Sequence, residues 1–282
     1  MRNRWRRFLS HFIVGLSFAA VLLALVPLAF VLFYVLTQGI ASLNLAFFTH
    51  MPTPVGEAGG GMVNSIIGTL LVTGTGAIVA IPVGLIAGIY ASEFKGTRLA
   101  SATRFAADTL NGVPSIVIGV FAYAVVVLPF HQFSGFAGAF ALAVMMLPLI
   151  MRTTEELLLL VPQTLREGAL ALGATRSRAV FTVVVPAALP GIITGILLAL
   201  ARVAGETAPL LFTAFNNRYF SSDLRQPTST LPVQVFTYAT SAYEDWHRQA
   251  WAGALVLVTI VLTCSLLARV ATARMEKMHR GT

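Results

Sequence analysis

Residues 62 to 90 read MVNSIIGTLLVTGTGAIVAIPVGLIAGIY, and they belong to a longer stretch, Ala58 to Ser92, that contains no Asp, Glu, Lys or Arg. A helix that crosses about 30 Å of hydrocarbon needs roughly 20 mostly apolar residues, and a charged side chain at mid-depth costs about 2.5 to 3.5 kcal/mol. Four other long stretches also lack charge: Phe8 to Gly56, Thr109 to Met151, Ala179 to Ala201 and Gln249 to Ala268. The pattern predicts a helical membrane protein.

The composition agrees with this prediction. Of the 282 residues, 57% are hydrophobic and 11% are charged, compared with roughly half and about a quarter in soluble domains. The single cysteine, Cys264, excludes a scaffold built on internal disulfides. Because Pro129, His131 and Gly135 divide the third long stretch, it can hold two helices. We therefore predict an all-α, polytopic membrane protein with six transmembrane helices, near 11–36, 62–90, 104–128, 134–154, 189–215 and 250–270.

The basic residues predict the orientation of these spans. Of the 19 Lys and Arg residues, 15 fall on the same side as both termini, one lies within the fifth span as Arg202, and three lie on the opposite side, as Arg218, Arg225 and Arg248. The positive-inside rule then places both termini in the cytoplasm. The basic residues are divided among separate short segments, so we expect no nucleic-acid partner.

The first span follows Arg2, Arg4, Arg6 and Arg7, as the apolar run of a signal peptide would. Signal peptides carry apolar runs of about 7 to 15 residues, whereas 11–36 is long enough to span, so we expect an uncleaved signal anchor. Residues 1–61 are then a cytoplasmic tail, one helix and a periplasmic loop. Residues 62–282 form a core of five helices with a cytoplasmic loop at about 161–186 and a periplasmic loop at about 216–249.

The loop at 161–186 reads as two short helices. Thr164 and Glu167 have capping-box spacing, Gly173 suits a helix end, and a second helix is expected near Thr175. Pro186, with Pro190, is expected to mark the turn into the fifth span. A cytoplasmic segment of this kind can lie on lipid or fit a groove on a partner protein.

Arg202 and Glu206 stand out because both fall deep in the predicted fifth span. Spaced at i and i+4, they face the same side of a helix and can pair. One interpretation is a structural ion pair that fixes the bundle. The other is a substrate pathway, since ionisable residues within spans usually mark substrate or ion routes and the planar Arg side chain matches oxyanions. The residue types alone are compatible with both interpretations.

The loop resembles the EAA loop of ABC-importer permeases. Glu167-Gly168-Ala169, then Gly173, then Val185-Pro186 follow the spacing of that motif, although Gly168 replaces the first alanine of the family pattern. The resemblance implies that this loop forms coupling helices that seat in a groove of a cytoplasmic ATPase. The residues expected to couple to the ATPase are Arg166, Glu167, Gly168, Ala169, Gly173 and Pro186.

Three further motifs resemble the phosphate-specific importers, and with the segment from Trp251 their A-type permeases: LNGVPSIVIGVF from Leu110, RVAGETAPL from Arg202 and LPVQVF from Leu231. The resemblance implies a heterodimer with a homologous second permease, an ATPase subunit dimer, and a periplasmic phosphate-binding protein that delivers phosphate, in contact with membrane lipid at a bacterial inner membrane. The expected pathway residues are Arg202, Glu206, Thr207, Asn111 and Ser115. Asp108 and Asn111 can instead cap the third span.

No enzymatic centre is expected in this chain. A phosphate-binding loop needs Gly-Lys followed by Ser or Thr, and the only lysines, Lys95 and Lys277, follow Phe and Glu. We therefore expect ATP and Mg²⁺ on the partner ATPase, no cofactor or metal here, and transport of phosphate by alternating access. The alternatives are a permease for another oxyanion, such as sulfate or molybdate, and an ion-coupled secondary transporter. Secondary transporters often show inverted repeats, and no second Arg-Glu element occurs in the first three spans.

Overall fold

The computed structural model describes residues 2–54, 57 and 59–280, with the backbone alone described at 2, 3, 268 and 271–280. Over these residues the ordered elements are helices, and no strand occurs among them. The helices are α1 (Arg2–Ser42), α2 (Leu45–Thr49), α3 (Val63–Glu93), α4 (Arg98–Gly112), α5 (Ser115–Phe130), α6 (Gly135–Leu160), α7 (Gln163–Ala171), α8 (Arg176–Ala204), α9 (Ala208–Leu211), α10 (Leu231–Ala239) and α11 (Glu244–Arg280).

Five of these helices are long and apolar enough to cross a membrane: α1, α3, α6, α8 and α11. The pair α4 and α5 supplies a sixth candidate, but the two helices meet at an angle of 106°. The all-α class and the number of spans agree with the sequence prediction when this bent pair counts as one span. The third span, predicted near 104–128, therefore consists of two helices rather than one.

Pro114 explains the break between α4 and α5. A proline disfavours helical geometry in the residue before it, and Val113 is extended, with φ −75° and ψ 129°. Pro114 itself precedes the first turn of α5, which receives no side-chain cap. The expectation that Asp108 and Asn111 cap this span was therefore wrong, because both lie inside α4.

The fifth span also differs from the predicted 189–215, because α8 begins at Arg176 and ends at Ala204. Pro186 and Pro190 lie within this helix, so the fifth span does not begin at these prolines as expected. A π-helical turn at Val180–Val184 directly precedes Pro186, and such turns accommodate local disruption of the helical hydrogen bonds. Gly205 caps the C-terminal end of α8.

The spans pack around α3 and α6, which run parallel. Glycines on α3 allow close approach: a Cβ at Gly76 would lie 2.8 Å from the Ala139 carbonyl oxygen, and one at Gly88 would lie 2.6 Å from that of Met151. A core of apolar side chains fills the interface, including Val72, Ala80, Leu142, Met146, Ile150 and Val203. This packing holds α3 and α6 side by side along their lengths.

The helix directions define two ends of the molecule. Gly39 lies against Leu255, whereas Ser42, further along α1, lines a cavity with Asp245 and Arg248 from the start of α11, so α1 and α11 are antiparallel. The start of α1 and the end of α11 therefore share one end, which we call the termini end, with the connections at 94–97 and 161–175. The opposite end, called the loop end, holds the connections at 43–54, 59–62, 131–134 and 205–243.

At the loop end, part of the segment predicted as a periplasmic loop (216–249) is ordered against the start of α3. Ser65 and Ser229 form a 2.7 Å hydrogen bond, and the Leu231 backbone N–H donates to Thr69 Oγ1 at 2.8 Å. The same segment contains α10 and the first turn of α11. Burial raises the pKa of Tyr238 on α10, opposed by a hydrogen bond with Gln234 and by the charge of Arg218, so this phenol stays neutral at physiological pH.

Candidate functional site

One short helix, α7 (Gln163–Ala171), lies between the fourth and fifth spans, and the second short helix predicted for 161–186 is instead the start of α8. The α7 helix begins after Pro162 without a side-chain cap, so the capping box predicted for Thr164 and Glu167 was wrong. Gly173 ends α7 with φ +85°, and its N–H donates to the Leu170 carbonyl at 2.9 Å. Thr175 then caps the start of α8 by accepting a hydrogen bond from the Arg178 N–H. The predicted helix end at Gly173 and helix start near Thr175 are confirmed.

Three leucines in α7 and directly after it are left exposed by the described part of the chain. Leu165, Leu170 and Leu172 are 46%, 47% and 90% exposed. Glu167 and Gly168 are also exposed, whereas Ala169 is half-buried. Exposed leucines at the termini end, beyond the last turn of α6, are suited to contact with a protein partner.

Glu93 connects this projecting loop to α3. Its side chain, 7% exposed, accepts a hydrogen bond from Arg166 Nη1 on α7, and its Oε2 lies 3.8 Å from Arg176 Nε at the start of α8. Arg166 also donates from Nη2 to the Leu158 carbonyl on α6 at 2.9 Å. Arg176 donates in addition to the backbone carbonyl of Glu93. This Glu93 cluster (Glu93, Arg166 and Arg176) therefore joins α3, α7 and α8.

A second ionic group fixes α4 against α6. Glu155, 2% exposed, pairs with Arg104 of α4 and with Arg152 at 2.9 Å, and Arg152 Nε also lies 2.9 Å from Asp108 Oδ1. Arg104 Nη1 donates to the Lys95 carbonyl at 3.3 Å. The position of Asp108 is explained by this ion pair.

Sequence reasoning missed the importance of Glu93 and Glu155. Glu93 is the first charged residue after the long apolar stretch of α3, and Arg152 and Glu155 have the i, i+3 spacing of a helical ion pair. Both signals can be recognised in the sequence. The partners Arg104 and Arg166 cannot, because they are separated from Glu155 and Glu93 by 51 and 73 residues.

Arg202 and Glu206 do not share a helix turn. Arg202 lies in the last turn of α8, which ends at Ala204, and Glu206 follows the break at Gly205. The i, i+4 helical pairing was wrong for this reason, and within the residues that the structure describes neither side chain forms an ion pair. Arg202 is exposed, whereas Glu206 and Thr207 are half-buried.

The remaining predicted pathway residues flank the bend between α4 and α5. Asn111 is exposed in the last turn of α4, and Ser115 is half-buried at the start of α5. One turn further along α5, a Cβ at Gly119 would lie 2.6 Å from the Pro209 Cα. This close approach places α5 directly beside the segment that carries Thr207. Across the described residues, no group of His, Cys, Asp or Glu side chains could hold a metal ion.

This architecture, with several apolar spans and a short helix between the fourth and fifth, is that of a permease subunit of an ABC importer. Residues 80–278 match the family described as "Binding-protein-dependent transport system inner membrane component", and the chain belongs to that family. It is therefore a multi-pass transporter subunit of the inner membrane.

Named relatives match most of the chain. The "Phosphate transport system permease protein PstA" of Yersinia pestis is 44% identical over 97% of this chain and 93% of the relative. The protein of the same name from Haemophilus influenzae is 42% identical, with 95% of each chain covered. A "Probable phosphate transport system permease protein PstA" of Methanocaldococcus jannaschii is 36% identical over 89% of this chain and 88% of the relative.

Solved structures show the same fold. A chain of the inward-facing MetNI methionine ABC transporter superposes with a TM-score of 0.63 at 20% identity, covering 76% of this chain and 95% of that one. A chain of an amino acid ABC transporter with histidines gives a TM-score of 0.59 at 17% identity, covering 76% and 93%.

Proposed function

We propose that this chain is the transmembrane permease subunit of an ATP-driven phosphate importer and that it forms half of the translocation pathway. The observation that carries the proposal is the 44% identity over 97% of the chain to a protein named as a phosphate transport permease. Arg202, which the described residues leave exposed, gives an anionic cargo a chemically suitable group.

Both termini face the cytoplasm in this proposal. The termini end carries the basic connections with Lys95, Arg98, Arg166, Arg176 and Arg178, whereas the loop end carries Arg218, Arg225 and Arg248. The positive-inside rule favours the richer end as cytoplasmic. The loop end then faces the periplasm, where a phosphate-binding protein delivers the cargo.

The loop with α7 receives the movement of the ATPase. ATP and Mg²⁺ belong to the partner ATPase dimer, which supplies the energy of nucleotide binding and hydrolysis. The exposed leucines of α7 seat in a groove of that partner, and Glu167 and Gly168 lie on the same exposed segment. Arg166 and Ala169 point toward the body of the permease, and the Glu93 cluster passes a displacement of α7 to α3 and α8.

The pathway lies at the other end of α8. Arg202 attracts the phosphate anion through charge and through a planar set of donors. Glu206, beyond the helix break, limits that attraction so that the anion can leave. Thr207, Ser115 and Asn111 supply neutral hydrogen-bonding groups along the seam between α5 and the 205–209 segment. A homologous second permease covers the exposed face and completes the pathway by alternating access.

Uptake by vesicles tests this function. The complex copurified on this chain is reconstituted with labelled phosphate outside and ATP at the ATPase side, and the binding protein is added. We expect uptake that requires ATP and is unaffected by excess sulfate or molybdate. Competition by either oxyanion would reassign the cargo, and uptake driven by a proton gradient without ATP would contradict an ABC importer.

A further inference from the structure

A groove of about 340 Å³ opens between the end of α3 and the start of α8. Its walls are the apolar side chains Ile86, Ile89, Val180 and Phe181, and its termini end is closed by Phe94, Arg176 and Ser177. Ile86 and Phe181 are 68% and 63% exposed, so no described part of this chain covers the groove.

The groove crosses the boundary between lipid headgroups and hydrocarbon. On α3, the charge-free stretch ends at Ser92 and is followed by Glu93 and Lys95. On α8, Arg176 and Arg178 precede the charge-free stretch that begins at Ala179. The apolar walls therefore lie at hydrocarbon depth, whereas the polar end lies at the depth of the headgroups.

The polar end carries an oriented positive charge. The Arg176 guanidinium carbon lies 4.7 Å from the centre of the Phe94 ring, which places the group beside the end of α3. Glu93 is the only carboxylate among the described residues that line the groove, and Arg166 already pairs with it, so the excess charge here is positive. The Arg176 side chain remains 61% exposed, and Ser177, which also lines the groove, is exposed.

We propose that this groove binds one anionic phospholipid, with the headgroup phosphate on Arg176 and Ser177 and an acyl chain along Ile86 and Phe181. Apolar walls that continue into a basic mouth match a lipid that is both acyl-chained and negatively charged. A neutral phospholipid lacks the net charge that the mouth complements. The lipid would occupy the side of α8 that begins at the Glu93 cluster, next to the loop that couples to the ATPase. This inference goes beyond the proposed function and does not depend on the cargo.

Quenching by brominated lipids tests the site in the intact complex. Phe181→Trp places a fluorophore on the groove wall, and the complex without this substitution gives the background of native tryptophans. The reporter complex is placed in nanodiscs of phosphatidylcholine mixed with phosphatidylglycerol, and one lipid at a time carries bromine. We expect brominated phosphatidylglycerol to quench the introduced tryptophan with an apparent affinity about fivefold higher than that of brominated phosphatidylcholine. This is the ratio expected for one Arg near an anionic lipid headgroup.

Arg176→Gln in the reporter complex should bring that ratio to about one, whereas Arg178→Gln, which removes a charge two residues away from outside the groove lining, should preserve it. Because Arg176 also contacts Glu93, Ile86→Phe provides a second variant that narrows the groove and leaves the ion pairs intact. It should reduce quenching by both lipids.

Equal quenching by both lipids in the complex that carries Phe181→Trp alone, or an unchanged ratio after Arg176→Gln is added, would overturn the proposal. Loss of the preference on adding inorganic phosphate would assign the site to a free anion, and absence of quenching would assign the groove to a protein partner.

Discussion

Glu93 on the last turn of α3 accepts a hydrogen bond from Arg166 on α7, across 73 residues of sequence. The Glu93 side chain is 7% exposed and that of Arg166 is 16% exposed, so little water screens the pair. Arg166 also holds the Leu158 carbonyl at the end of α6. A displacement of α7 must therefore move the ends of α3 and α6 or break this contact, and breaking a buried pair by removing one partner costs about 3 to 5 kcal/mol.

Replacing Glu93 by Gln should uncouple ATP hydrolysis from transport. The substitution keeps the shape of the side chain but leaves Arg166 and Arg176 without their shared carboxylate. We expect the ATPase subunit to remain bound, because the exposed face of α7 is unchanged, while the number of phosphate ions transported per ATP falls severalfold. Simultaneous measurement of labelled phosphate uptake and ATP hydrolysis in vesicles gives this ratio.

Glu156→Gln is the matched control for this experiment. Glu156 lies on α6 next to the buried Glu155, but it is exposed and forms no ion pair with the described residues. Its replacement should leave the transport ratio unchanged. If Glu93→Gln behaved like this control, the Glu93 cluster would have no part in coupling.

Gly173→Ala should weaken the loop by distorting its backbone. Gly173 has φ +85°, and an added Cβ there would meet no other atom within 4 Å, so the cost is conformational rather than steric, about 1 to 2 kcal/mol for a left-handed alanine. We expect a fall of about tenfold in the affinity of the ATPase subunit for the permease, measured by titration in detergent. Gly168→Ala, at an open helical position, should not reduce that affinity. Equal affinities for the two variants would show that the turn at Gly173 is not required.

Arg202→Gln should abolish phosphate uptake without impairing assembly. Arg202 is exposed and lies outside the ionic clusters that hold the helices of this chain together, so its removal carries little cost in folding. Arg202→Lys keeps the charge but loses the planar donors, and should retain partial uptake. Arg225→Gln, at the loop end, controls for the loss of one positive charge. Normal uptake by Arg202→Gln would exclude this residue from the pathway.

The apolar spans followed from sequence because their signal is local. A stretch without charge predicts a helix in lipid wherever its neighbours lie, and α1, α3 and α6 were placed in this way. Boundaries were less predictable. The charges Arg176 and Arg178 marked a loop, yet α8 begins there, since a basic first turn can extend past the hydrocarbon into the headgroup layer. Hydropathy alone predicted continuous spans through Pro114 and Gly205, but a helix ends next to each of these residues.

The candidate site was harder to predict because its geometry depends on distant contacts. Arg202 could be recognised because charged residues are rare within apolar spans. Gly173 could be recognised because its spacing from Glu167 matches the loop motif. The ion pairs of Glu93 and Glu155 depend on how α3, α4 and α6 pack, which no local pattern encodes. The bend at Pro114 likewise separates Asn111 from Ser115 on different helices.

The contact between Gly119 and Pro209 provides the test of the seam beside the pathway. It joins two sequence motifs, on α5 and in the 205–209 segment, at a point where a Cβ would lie 2.6 Å from the Pro209 Cα. Gly119→Ala must therefore separate the two backbones, and overpacking of this kind costs about 1 to 3 kcal/mol. Because Thr207 and Glu206 lie on the displaced segment, we expect phosphate uptake to fall about tenfold while the ATPase subunit still copurifies.

Gly74→Ala is the control for this steric effect, because Gly74 lies inside α3 with nothing within 4 Å of an added Cβ. Alanine is favoured over glycine within a helix by about 0.5 to 1 kcal/mol, so this variant should transport phosphate normally. A larger side chain at Gly119, as in Gly119→Leu, should reduce uptake further than alanine does, since the required separation grows with side-chain volume. Uptake that was the same in Gly119→Ala, Gly119→Leu and Gly74→Ala would show that α5 and the 205–209 segment move apart freely, and that their contact does not position the pathway residues.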